Sequence, residues 1–138
     1  MSGNKFVARL ALGVVASLVS LASIAGPVSG KKNLICDSAH VVACADGACM
    51  QGTPVTFGLM NFFFVDIAKR EVHGVDSEGQ EALSPVKNSE ITEEAIILQG
   101  FENHRGWTMG IDRKTGGLTL SSTGADVNFM ITGNCIER

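Results

Sequence analysis

Apolar and polar residues alternate through the last third of the chain. Every second residue is apolar in residues 107–111, 118–121 and 127–132, and the residues between them are mostly polar or small. A period of two places the apolar set on one face of a strand. The pattern therefore predicts three half-buried β-strands.

The connection between the first two of these strands predicts their register. Residues 112–117, Asp-Arg-Lys-Thr-Gly-Gly, suit a four-residue hairpin loop, which sets Ile111 opposite Leu118 on the apolar face. Asp66 precedes Val72 by the same number of residues as Asp112 precedes Leu118. Residues 65–72 therefore predict a second hairpin with the same loop length.

The connection to the third strand is shorter in this interpretation. Gly124-Ala125 suits a two-residue turn with glycine in the first position, which sets Leu120 opposite Phe129. Because side chains alternate between faces, a slip of one residue would turn the whole apolar set of the strand toward solvent. The apolar pattern therefore supports this pairing.

The middle of the chain has a less regular pattern. Residues 76–89 are polar and contain Gly79 and Pro85, so they predict a surface loop. Residues 94–101 predict a further strand, since the apolar run is short for a helix. The predicted fold class is all-β, a small antiparallel meander of roughly six to eight strands. The pattern fits closure as a barrel or as a sandwich.

The N-terminus has the order of a secretory signal. Lys5 and Arg9 precede an uncharged apolar run that ends in small residues, so we expect cleavage after Ala25. This predicts a signal helix in residues 1–25 and a single β domain in residues 26–138, periplasmic or secreted. The alternative is a retained membrane anchor, since the run is nearly long enough for a tilted span of about 20 residues.

Four cysteines follow the predicted cleavage site, and an even number in a small exported chain predicts two disulfides. Three pairings are possible. We expect Cys44 to pair with Cys49 across a turn-forming loop. We expect Cys36 to pair with Cys135, since each of these two cysteines is in phase with core positions of its strand. A zinc site is the alternative, but zinc sites prefer closer cysteine pairs, so we expect no metal.

Charge and motifs narrow the range of functions. Without residues 1–25 the chain has nine basic and fourteen acidic residues, a net charge of −5. Such a charge argues against nucleic acid and anionic membrane surfaces as partners. The sequence contains no G-x-S-x-G, no G-x-x-x-x-G-K and no H-E-x-x-H motif. We therefore expect a non-enzymatic protein without a cofactor and without stable membrane insertion once the signal is removed.

The best candidate for a partner contact is the entrance of the strand at residue 107. His104, Arg105 and Trp107 combine side chains that contribute binding energy at many interfaces. As a partner site, His104 and Arg105 would be exposed, and Arg105→Ala would leave the melting temperature nearly unchanged. The alternative is that Trp107 is the first core residue of its strand and that the two preceding residues form a solvated turn.

A second candidate lies in residues 54–67, the most apolar stretch after the signal. If this stretch is one extended strand, Phe62 and Phe64 share the face opposite Phe63. Apolar residues on both faces indicate burial from two sides, by a barrel interior and by a covering loop, a ligand or a second subunit. A central core strand with a bulge at Gly58 is the alternative.

Three segments carry a resemblance to a known group of proteins. They are Cys-Ala-Asp-Gly-Ala-Cys at residues 44–49, Trp-x-x-x-Ile-Asp-Arg-x-Thr-Gly at residues 107–116 and Gly-x-Cys at residues 133–135. The chain resembles small exported four-cysteine β proteins of proteobacteria, most of them uncharacterised.

More distantly, it is similar in size, export and cysteine use to periplasmic inhibitors of c-type lysozyme, which are small β-barrels. Those inhibitors carry a Ser-Gly-x-x-Tyr signature at the inhibitory loop. This chain has Arg105-Gly106-Trp107 at the nearest place and no tyrosine.

Several functions remain open at this stage. The leading hypothesis is an exported, non-enzymatic binding module for a protein or an envelope component. The resemblance implies inhibition of an enzyme such as a c-type lysozyme as an alternative. A lipocalin-like carrier of a small apolar ligand is favoured if Phe62 and Phe64 line a cavity. A small hydrolase would require His73 or His104 to cluster with carboxylates.

Overall fold

Ten antiparallel strands make up most of the structure, a computed structural model that describes residues 26–138. The predicted signal helix and its cleavage site lie outside the described residues. Between the third and fourth strands there is one turn of 3₁₀ helix, Val55–Phe57. The strands are β1 Leu34–Asp37, β2 His40–Ala45, β3 Ala48–Gly52, β4 Phe62–Asp66, β5 Glu71–Val75, β6 Glu81–Ile91, β7 Ala95–Glu102, β8 Arg105–Asp112, β9 Gly117–Thr123 and β10 Asn128–Glu137.

Eight of these strands close into a barrel. The order is β1-β4-β5-β6-β7-β8-β9-β10, and β10 pairs back with β1. The predicted all-β class is confirmed, and the closure is a barrel rather than a sandwich. Strands β2 and β3 form a hairpin outside the barrel, because β2 continues along the edge of β10 where β1 ends.

Both predicted disulfides are confirmed. Cys36 and Cys135 face each other where β1 meets β10, and both are fully buried. Cys44 and Cys49 are directly opposite each other in the β2–β3 hairpin. The two bonds are consistent with an oxidising, extracytoplasmic location.

The predicted register is right for one hairpin and wrong for the next. Ile111 lies opposite Leu118, as expected. Phe129, however, lies opposite Ser122 instead of Leu120, a shift of two residues. The turn has four residues rather than two, and the Asp126 carboxylate stabilises it by accepting the N–H of Val127 at 2.8 Å. A two-residue shift keeps every side chain on its face.

The middle of the chain contains one confirmed prediction and one error. Val65 pairs with Val72, so the second hairpin has the expected loop length. The predicted surface loop at residues 76–89 is wrong, because β6 occupies most of it. Pro85 is tolerated because β6 changes partner there, from β5 to β7. The next amide, at Val86, already points to β5, so the proline nitrogen faces the unpaired side.

The N-terminal segment closes one end of the barrel. Val28 is buried against the core, and its N–H donates to the carbonyl of Arg113 at 2.9 Å. The Arg113 side chain donates to the carbonyls of Val28 at 3.2 Å and Ser29 at 2.8 Å, and also to Thr92. We call this the closed end. No helix in residues 26–138 is long and apolar enough to cross a membrane.

Candidate functional site

The opposite end of the barrel, called the open end below, contains a cavity. Several inward positions near this end carry small residues, among them Ala82, Ser84, Gly100 and Ser122. Because these side chains do not fill the interior, a space of about 260 Å³ remains and opens to solvent. Most of the wall is apolar and is formed by Leu59, Met60, Phe63, Val72, Met109, Leu120, Phe129 and Ile131.

Trp107 forms part of the cavity wall. It lies in phase with Met109 on the inner face of β8 and donates its indole N–H to Ser84 Oγ at 2.8 Å. To reach Ser84, the ring crosses Gly100 of the intervening strand. A Cβ atom on residue 100 would lie 2.2 Å from Trp107 Cζ2, so only glycine fits there. Trp107 is therefore fixed in place as a core residue that also faces the cavity.

Arg105 lies at the mouth of the cavity and is held by several partners. Its Nε donates to Ser122 Oγ at 3.2 Å, its Nη1 to Asp126 Oδ1 at 3.1 Å, and its Nη2 to the carbonyl of Val127. The guanidinium carbon lies 5.1 Å from the centre of the Phe129 ring. The side chain is 25% exposed, so it is not the free surface residue that the partner-site hypothesis expected.

Asp126 completes the charge balance at Arg105. Its pKa is lowered, mainly by the backbone N–H of Val127 and further by the Arg105 guanidinium. The Asp126 side chain is 80% exposed and lies 3.1 Å from Arg105 Nη1, so the two residues form an ion pair at the surface of the mouth.

His104 lies apart from the other two residues of its segment. Asn103 and His104 have φ values of 48° and 61° and form the two-residue turn between β7 and β8. His104 is exposed at this turn, whereas Arg105 and Trp107 line the cavity. The three side chains therefore do not form a single binding surface.

Phe62 and Phe64 lie on the outside of the barrel. The residue between them, Phe63, points inward and lines the cavity. Phe62 is 49% exposed, and Ile136, exposed to a similar degree, lies two strands away on β10, with Ile35 of β1 between it and Phe64. We call three of these residues the outer apolar stripe: Phe62, Phe64 and Ile136.

A loop rather than a strand precedes Phe62, since residues 54–61 are not extended. This loop covers part of the cavity. The Phe57 ring packs edge-on against Phe129, with ring centres 6.3 Å apart, and Met60 fills the space above Gly74. Sequence reasoning missed Met60 as a wall residue, because a residue in an irregular loop has no periodicity to place it.

Glu102 is another wall residue that the sequence analysis did not identify. It occupies the last inward position of β7, in phase with the buried Leu98, and it lines the cavity beside its cross-strand neighbour Arg105. Extending the alternation of β7 past Gly100 would have found a carboxylate on the inner face.

Among the described residues, no histidine joins the Glu102 carboxylate in the cavity wall. His73 Nε2 lies 3.4 Å from Glu71 Oε2 on the outer face of β5. Within residues 26–138 there is no group of three or more potential metal ligands. No family model, no curated protein and no solved structure matches this chain.

Proposed function

We propose that this protein binds a small apolar ligand in the open end of its barrel, in the periplasm or outside the cell. The observation that carries the proposal is the apolar cavity of about 260 Å³. An apolar cavity of about 150 Å³ is large enough to bind benzene, and pockets for drug-sized molecules start at about 300 Å³. The expected ligand is therefore one or two rings, or an aliphatic chain of similar volume.

The polar groups of the wall support binding rather than catalysis. Ser84 accepts the indole N–H of Trp107, and Ser122 accepts a hydrogen bond from Arg105. Among residues 26–138, the ionisable side chains of the wall are Glu102 and Arg105, with no histidine or cysteine beside the two hydroxyls. A serine nucleophile requires an adjacent base, so this wall is suited to hold a ligand without transforming it.

The test uses the single tryptophan of the chain as a reporter. Trp107 lines the cavity, so filling the cavity should change its fluorescence. We expect saturable binding of n-octanol or naphthalene to the purified protein, measured by Trp107 emission and by calorimetry. Absence of saturable binding for both probes would refute the proposed function.

A pair of variants locates the binding. Ala82→Leu adds bulk inside the cavity and should weaken binding by about tenfold or more. Ala125→Leu adds the same bulk at an exposed turn of the same end and should leave binding unchanged. Equal binding by the wild type and Ala82→Leu would show that the ligand lies elsewhere.

The outer apolar stripe favours a second candidate function, recognition of a protein partner. Phe62 and Ile136 are 49% and 54% exposed, on the two strands that flank β1. Exposed apolar clusters on a soluble surface are typical of protein-binding sites. The resemblance to periplasmic inhibitors supplies a specific partner to try first, a c-type lysozyme.

For this second function we expect wild-type protein to reduce lysozyme activity and Phe62→Ser to lose the effect. Phe101→Ser is the matched control, since Phe101 is 60% exposed but lies on β7, outside the stripe. Unchanged lysozyme activity with the wild type would exclude this partner. Equal inhibition by both variants would exclude the stripe.

A further inference from the structure

Two ionisable side chains lie at the mouth of the cavity, and they differ in how well they are paired. Glu102 and Arg105 are cross-strand neighbours at the ends of β7 and β8. Within residues 26–138, however, the ion pair of Arg105 is with Asp126 and not with Glu102. A ligand that enters the cavity therefore meets an arginine with a carboxylate partner and a glutamate that has no ion-pair partner among the described residues.

Arg105 is poorly placed to bind the head group of a ligand. All three of its nitrogens donate to protein acceptors, and Asp126 lies 3.1 Å from Nη1. Four of its five N–H groups are used in this way, so an anionic ligand finds one remaining N–H or must break hydrogen bonds that hold the turn between β9 and β10. A carboxylate or phosphate head group thus gains little at this mouth.

Glu102, in contrast, has acceptor capacity to spare. Its one hydrogen bond within the described residues is a long contact of 3.4 Å from Asn103 Nδ2. A carboxylate has roughly four lone-pair sites, so most of this capacity is open to water or to a ligand. The side chain is half-buried and lies where the polar end of a ligand in the cavity would emerge.

We propose that the cavity selects ligands with a cationic or hydrogen-bond-donating head group, and that Glu102 recognises it. The ligand class is an amphiphile with an apolar body and an amine at one end, with the corresponding alcohol as a weaker ligand. A partly desolvated carboxylate attracts an ammonium group and repels a carboxylate. This inference rests on the proposed function, since it requires that the cavity be occupied.

The experiment compares three ligands of equal chain length, n-octylamine, n-octanol and octanoate, at neutral pH. Calorimetry and Trp107 emission report binding to the wild-type protein. We expect octylamine to bind about tenfold tighter than octanoate or more, with octanol between them. If none of the three binds, the proposed function fails. If all bind equally, or octanoate binds best, the cavity stands and the role of Glu102 is refuted.

Two variants separate Glu102 from the overall charge of the protein. Glu102→Gln should reduce the preference for octylamine by about tenfold while leaving octanol binding nearly unchanged. Glu94→Gln makes the same change in net charge at an exposed turn of the closed end and should behave like the wild type. An equal loss of preference in both variants would assign it to net charge and overturn the proposal.

Discussion

The two ends of this barrel have the same strands but different interiors. At the closed end the inward positions carry branched aliphatic residues such as Val65, Ile96 and Ile111, all of them buried. At the open end the same strands turn small residues inward, including Ala82 and Gly100. An eight-stranded barrel is just wide enough to be filled by side chains or to hold one small ligand. The size of alternate side chains decides between these outcomes within a single sheet.

Each end is also held together by an arginine, but the two arginines join different parts of the chain. Arg113 ties backbone carbonyls of the N-terminal segment, 84 and 85 residues away in sequence, to the barrel. Arg105 ties β8 to the neighbouring β9–β10 turn, at separations of 17 and 22 residues. The closed end therefore depends on a remote segment, whereas the open end is organised by a local contact.

The largest effect on stability is expected at the Cys36–Cys135 disulfide, which joins β1 to β10 where the barrel closes. Replacing Cys36 and Cys135 with alanine opens a loop of 99 residues, so we expect a loss of about 4.7 kcal/mol in the free energy of unfolding. The same change at Cys44 and Cys49, five residues apart in the open-end hairpin, should cost about 2 kcal/mol. Urea denaturation compares the two variants. Equal losses of unfolding free energy in the two variants would show that the disulfide at the barrel closure contributes no more than the one in the hairpin.

The next effect concerns the inner surface of β7 at the open end. Gly100→Ala places a Cβ atom against the Trp107 ring and separates the indole from Ser84, so we expect a loss of about 3 kcal/mol. On the same strand, Ile96→Val at the closed end should cost about 1 kcal/mol. Urea denaturation measures the two losses, and a red shift of the Trp107 emission in folded Gly100→Ala would report that the indole has moved. A fully stable Gly100→Ala with unshifted emission would show that Trp107 is not pinned there.

Replacing each arginine with alanine, one at a time, measures how much it stabilises its own end of the barrel. Arg113→Ala should cost about 2 to 3 kcal/mol and increase hydrogen exchange in residues 26–33, since it removes three hydrogen bonds to backbone carbonyls. Arg105→Ala should cost about 1 to 2 kcal/mol, with increased exchange confined to the turn at residues 124–127. An unchanged melting temperature for Arg105→Ala would instead support the prediction that Arg105 is an exposed residue without a structural role.

The fold was largely predictable where local pattern and turn chemistry agree. The first hairpin of the C-terminal third has its expected register because its loop residues match the turn that forms. The hairpin at residues 65–72 formed without a glycine, since Arg70 takes the positive φ, 57°, that Gly116 takes in the other loop. The turn after β9 was misjudged because its length depends on Asp126, whose partner Arg105 lies 21 residues away.

The site was less predictable for a different reason. Alternation separates the two faces of a strand, but it does not say which face is inside when both are apolar, as at Phe62 and Phe63. Arg105 and Trp107 were selected for their residue types and do line the cavity, although as fixed parts of its wall. Glu102 was missed because the predicted strand ends at residue 101, one residue before it.

The smallest effect expected is a pH dependence confined to the closed end. Glu137 accepts hydrogen bonds from Ser29, and its Oε2 lies 3.2 Å from Lys32 Nζ. The contacts with Ser29, and secondarily Lys32, lower the pKa of Glu137 from 4.5 to about 2. Because the pKa is lower in the folded state, the ionised carboxylate stabilises the fold. This contribution is complete above pH 4.5 and is lost as the pH falls through about 2.

Glu137→Gln isolates this contribution from those of the other carboxylates. We expect the variant to be less stable than the wild type at pH 6, and the gap between their urea midpoints to narrow steadily as the pH falls from 4.5 toward 2. Other carboxylates with lowered pKa, such as Asp112 and Asp126, remain in both proteins, so their effect cancels in the difference. A gap that stays constant over this range would show that Glu137 acts through shape alone and that its charge does not help hold the N-terminal segment in place.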